Sequence, residues 1–110
     1  MAVNLVLPEQ TEAPFQFTDK AIQQIKNYQK LLQIQPPTAL RISTRKQGAN
    51  YEPIIGFDER GVSDYLYRVA GIEIVVNRNE VAHVKNFLID YKETPTAKGF
   101  LFKEAPSARP

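Results

Sequence analysis

A chain of 110 residues, 43% hydrophobic and 24% charged, is long enough to bury a core of its own without disulfide or metal staples. Fourteen basic and twelve acidic residues are scattered along it and leave a net charge of only +2, so charge gives no argument for nucleic acid or a membrane surface as partner. There is no cysteine and a single histidine, His83, which removes thiolate nucleophiles, disulfides, cysteine zinc sites, thiolate-held iron–sulfur clusters and multi-imidazole centres. The first fourteen residues end in "PEQTEAP", two prolines bracketing polar residues, and are expected to be a flexible leader. Its "VNLVL" is too short for a membrane span and lacks the basic start of a signal peptide, so the chain is expected in the cytoplasm. Phe15 and Phe17 then mark a short strand. Thr18 is a helix N-cap, Asp19 suits the positive helix end, and Ala21, Ile22, Ile25, Tyr28 and Leu32 recur at helical spacing until Pro36-Pro37 stops the helix.

"TALRISTRK" alternates, with Leu40, Ile42 and Thr44 on one face and Arg41, Ser43 and Arg45 on the other. After a Gly48 loop, "EPIIGFD" supplies a second strand, and the short connection predicts an antiparallel hairpin. Tyr65, Tyr67 and Val69, then Ile72, Ile74 and Val76, alternate on either side of Ala70-Gly71 and predict another hairpin. Val81, Val84 and Leu88 are spaced for a short helix. "LIDYK" and "GFLFK" are two further strands, and "EAPSARP" gives a flexible tail. This order predicts an α+β domain over residues 15–104 of small, mostly antiparallel sheets with the helices packed on one side, between the leader 1–14 and the tail 105–110.

The chemistry-bearing residues are sparse. His83 reads as a surface or edge residue with no catalytic partner in view. Tyr65, Tyr67 and Tyr91 read as core and sheet-face residues, while Tyr51, beside Asn50 at the loop, is a candidate recognition residue. Glu52, Asp58, Glu59 and Asp64 are the nearest oxygen ligands for a metal, although "FDE" at a strand end is usually a solvated turn. Arg41, Arg45 and Lys46 form the one compact basic feature: either a charge-guarded strand face or the cation set for an anion near Gly48. "QGAN" lacks the spacing and the Lys-Ser/Thr of a phosphate loop.

Taken together, "FTDKAIQQIKNYQKLL", "ALRI", a glycine loop, "GFDE", "GIEIVVN", a short helix, "LIDY" and "GFLFK" resemble the HesB/IscA-like family of A-type iron–sulfur carriers over roughly residues 15 to 103. In that family the pieces "TDKA", "LRI", "GCSG", "EFDE", "GVKVVVD", "IDY" and "GFKF" recur in this order. The resemblance implies the HesB-like fold and a place in iron–sulfur cluster assembly or delivery. It also implies where ligands would stand: Gly48 matches the loop glycine, Ala49 falls on the first ligand cysteine and Asn50 on the small polar residue after it. The family's Cys-Gly-Cys follows the "GFKF" strand, whereas this chain runs "GFLFKEAPSARP". No shift of register recovers a cysteine, and a methyl group offers iron no lone pair. The resemblance therefore implies a degenerate, non-enzymatic member with no cofactor of its own. It would act by protein contact through the loop Arg45, Lys46, Gln47, Gly48, Ala49, Asn50, Tyr51 and Glu52. Its partner would be a cysteine-bearing relative or an iron–sulfur client, with self-association as a further option. The alternative is a small-molecule or anion-binding regulatory module with Arg41 and Arg45 in its pocket.

Overall fold

The computed structural model of the chain describes residues 9–10 and 12–104. The expected tail lies outside the described residues, as does most of the expected leader, of which Glu9–Gln10 form a two-residue strand, β1. The remaining elements are β2 (Gln16–Phe17), α1 (Asp19–Leu31), β3 (Thr38–Gln47), β4 (Asn50–Glu59), β5 (Asp64–Val69), β6 (Ile72–Asn77), α2 (Val81–Val84), β7 (Phe87–Glu93) and β8 (Lys98–Glu104). One sheet has the order β1-β5-β6-β3-β4 and the other β2-β7-β8.

The hairpins form as the alternation predicts: β3 with β4, β5 with β6 and β7 with β8, all antiparallel. Their turns follow from local chemistry. Ala70 and Gly71 both have positive φ, 51° and 84°, the pair of left-handed residues that a two-residue turn of the I′ kind needs to match strand twist. Each sheet also contains parallel pairs, β3 with β6 and β1 with β5 in the larger and β2 with β7 in the smaller, which alternation within a strand does not specify. The expected helix spacing through Leu88 is corrected: α2 is a single turn, because Asn86 takes a left-handed φ of 68° and Leu88 joins β7.

Both helices contribute to one core, although Leu31 at the end of α1 is exposed, and so is Leu32, which the spacing places in the helix and which instead follows it as the C-cap. Ala21 and Ile25 of α1 and Val84 of α2 pack with Leu40, Ile42, Ile72, Ile74, Val76, Ile89 and Tyr91 from the two sheets. Ala39, Leu66 and Val75, which the register places on the opposite face of the large sheet, form a second, small cluster. Thr18 joins helix to sheet. Its hydroxyl accepts from the Ala21 N–H at 3.2 Å and donates to Asp90 Oδ1 at 2.7 Å, while its own N–H donates to the Ile89 carbonyl. Thr18→Ala is expected to cost about 1–2 kcal/mol through loss of the N-cap. That is a fall in Tm of roughly 5–10 °C for a domain this size, measured by thermal unfolding; an unchanged Tm would show that the cap is idle.

Candidate functional site

The predicted contact loop is the distal end of a long hairpin and not an open loop. Gln47 and Asn50 pair across a two-residue turn, Gly48-Ala49, and Gly48 has a φ of 60° that costs a residue without a side chain little. Counting back from that hydrogen-bonded pair, Lys46 lies opposite Tyr51 and Thr44 opposite Pro53 in non-hydrogen-bonded pairs, whose backbone groups point away from each other. Two consequences follow. The missing N–H of Pro53 falls on the open side of β4, an edge strand, where it breaks no ladder. The Thr44 N–H points to the opposite side, past the end of β6, which pairs with β3 only at Leu40 and Arg41.

Residues 45–52 are all exposed. On one face Arg45 Nη2 and Gln47 Nε2 both donate to Glu52 Oε2 at 3.1 Å, and these hydrogen bonds, Arg45's first, hold the Glu52 carboxyl below its ordinary value. On the other face Tyr51 stacks on His83 with ring centroids 4.1 Å apart and planes 21° from parallel. Tyr51 remains 48% exposed, so one ring face is held while the residue stays available to a partner. Next to it Glu80 Oε1 accepts from the Thr44 N–H at 3.0 Å and from the Thr44 hydroxyl at 2.9 Å. Sequence reasoning missed Glu80. The contact spans 36 residues, and no periodic or motif signal connects a helix-start glutamate with a strand hydroxyl so far away.

The hairpin end also neighbours the end of β8. Phe100 shares an apolar cleft of about 200 Å³ with Ile55 and Phe57, while Phe102 shares a second cavity, of about 480 Å³, with Arg45 and Glu52. Later residues of β8 therefore lie beside earlier residues of β4, and β8 runs toward the hairpin tip. The Ala49 turn and the later residues of β8 thus lie toward the same end of the molecule.

The oxygen ligands singled out in the sequence do not converge there. Glu52 is held by Arg45. Asp58 and Asp64 are gathered by Arg41: its Nε donates to Asp58 Oδ2 at 2.9 Å, its Nη1 to Asp64 Oδ1 at 2.8 Å, and its Nη2 to Asp64 Oδ2 and to the Glu59 carbonyl. Asp64 is only 2% exposed. Burial on its own raises its carboxyl, but the hydrogen bonds from Arg41 and the Gly61 N–H, with the charges of Arg41 and Arg60, outweigh burial and leave it below its ordinary value. Among the described residues no three His, Cys, Asp or Glu side chains are grouped to hold a metal ion, and the donor set does not fit an iron–sulfur cluster. The anion pocket expected around Arg41 and Arg45 meets the same arrangement: every nitrogen of the Arg41 guanidinium donates to a carboxylate or carbonyl, and Arg45 is paired with Glu52.

No protein-family model and no curated protein sequence matches the chain. Solved structures do. The chain is similar to IscA with its [2Fe-2S] cluster, at 20% identity and a TM-score of 0.63 over 82% of this chain and 81% of that one. It is similar to Escherichia coli SufA, a protein involved in the biosynthesis of iron–sulfur clusters, at 18% identity and 0.64 over 94% and 95%. A protein from Aquifex aeolicus with an NMR structure gives 24% identity and 0.67 over 89% and 98%. The fold is thus the HesB/IscA-like α+β fold that the sequence resembles, carried by a chain without cysteine. Among the described residues no helix is long and apolar enough to cross a membrane.

Proposed function

We propose that this chain is a non-enzymatic relative of the iron–sulfur carriers, with residues 15–104 as its HesB/IscA-like domain, that works in cluster assembly by protein contact rather than by holding a cluster. The observation that carries the reading is the hairpin tip. Residues 45–52 stand exposed, with Tyr51 held against His83, around Ala49, where the resemblance places the first missing ligand. A scaffold without soft ligands and with a presented, ordered tip is suited to recognition and not to metal transfer. The partner is a cytoplasmic protein, either a cysteine-bearing relative or an iron–sulfur client, and self-association is a second mode of contact. The anion-binding alternative loses its central cation, because Arg41 is bound by Asp58 and Asp64.

The test replaces residues 45–52 with an alanine-rich sequence that keeps Gly48, and measures affinity for a cysteine-bearing carrier from the same cell by calorimetry. A loss of at least tenfold in affinity is expected, with Tm little changed because these side chains are exposed. Unchanged affinity removes the contact reading.

A further inference from the structure

Among the described residues no strand pairs with the distal half of the β3–β4 hairpin on the β6 side. β6 pairs with β3 at Leu40 and Arg41 and no further out, so from Thr44 onward the open side of β3 meets the residues around α2 instead. Glu80 fills the place of a strand there: one carboxylate oxygen takes the outward Thr44 N–H that a neighbouring strand's carbonyl would take, and the Thr44 hydroxyl besides. One helical turn along, His83 lies against the Tyr51 ring. The support is itself anchored. Val84 is fully buried, the Glu80 N–H donates to the Asn77 carbonyl at the end of β6, and the Asn86 N–H donates to the Pro14 carbonyl at 2.6 Å.

We infer that Glu80 and His83 are positioning residues for the contact hairpin: a fixed latch on the 78–86 segment that holds residues 45–52 in one pose for the partner, although neither belongs to the contact loop. The inference rests on the proposed contact role for its functional consequence and on the Glu80–Thr44 and His83–Tyr51 geometry for its structural half. A carboxylate that binds two groups of one residue, next to a ring stack on the opposite strand, constrains both strands of the hairpin at once. Without it the hairpin end is a two-stranded ribbon, a unit that is marginal in water by itself.

Amide hydrogen exchange and the Tyr51 ring resonances of the full chain, followed by NMR, test this. Glu80→Ala is expected to speed exchange of the Thr44 amide by roughly tenfold or more, since a hydrogen bond to a charged acceptor is lost. The Tyr51 ring resonances are expected to move toward their unstructured positions, while the Ile74 and Ile89 amides keep their wild-type rates. Glu80→Gln, which retains the accepting oxygen, is expected to keep most of the protection. His83→Ala is expected to release Tyr51, and His83→Phe, which preserves a stacking ring, to hold it. Partner affinity is expected to fall in the two alanine variants and return in the conservative ones. Wild-type Thr44 exchange and Tyr51 shifts in Glu80→Ala would overturn the latch. So would equal acceleration at Ile74 and Ile89, which would make Glu80 a general support of the domain. The two failures are separable: a loop replacement that leaves the partner bound removes the contact reading, whereas the exchange and ring data bear on the latch alone.

Discussion

Arg41→Ala is expected to destabilise the domain by about 3–5 kcal/mol, because it leaves the Asp64 carboxylate buried without the guanidinium that compensates it. Small domains have only some 5–15 kcal/mol in all, so the Tm should fall by about 12 °C or more. The Arg41 side chain is 19% exposed and joins three places in the chain: its own strand β3, the end of β4 through Asp58 and Glu59, and the start of β5 through Asp64. Arg41→Lys keeps the charge but not the planar fork, and is expected to fall between wild type and alanine. The pH dependence has a definite sign. The folded Asp64 carboxyl lies below its ordinary value, so its contribution is fully present above the unfolded pKa of about 3.9 and is lost as pH falls through the lower folded value. Stability of wild type and Asp64→Asn, measured by urea unfolding across pH 2 to 7, should therefore differ by a constant amount above about pH 4.5 and converge below it. A gap that stays constant down to pH 2 would show that Arg41 does not hold Asp64 ionised.

That network marks where the sequence stopped being legible. On β3, alternation places Leu40, Ile42 and Thr44 on one face and Arg41, Ser43 and Arg45 on the other, and the structure keeps that division. A cap at Thr18, the helix from Asp19 and the hairpin at Ala70-Gly71 are likewise written in local residues. Arg41 is different. An arginine on an alternating strand has the same pattern whether it is solvated, binds an anion or closes on a buried aspartate, and its partners stand 17 and 23 residues away. The parallel pairing of β3 with β6 is non-local in the same sense, since it depends on where two hairpins meet and not on either hairpin's sequence. At the candidate site the exposed residues 45–52 were readable as a unit, but the Glu80 and His83 supports were not: Glu80 precedes a single helical turn whose one-sided burial rests on Val84 alone. The absence of a ligand set was the plainest feature of all, because it is a matter of composition.

Anaerobic incubation with iron and sulfide, followed by desalting, is expected to return a colourless and iron-free protein, read by visible absorption and iron analysis. The argument is one of donor softness: iron in clusters is held by thiolates, and the hairpin tip offers Glu52 occupied by Arg45, a His83 imidazole stacked on Tyr51, and the Ala49 methyl. The complementary variant restores the donors that the resemblance implies, with Ala49→Cys at the turn and a Cys-Gly-Cys sequence after Glu104. Because β8 runs toward the hairpin tip, with Phe102 beside Arg45 and Glu52, these thiols start from the same end of the fold, and the variant is expected to take up iron and sulfide with cluster absorption. Colour and stoichiometric iron in the unaltered chain would sink the proposed contact function, since the chain would then hold cargo through oxygen or nitrogen donors. Colour in the variant alone would locate the difference between this chain and a carrier in its ligands and leave the scaffold intact, which is the division of labour the hairpin and its latch describe.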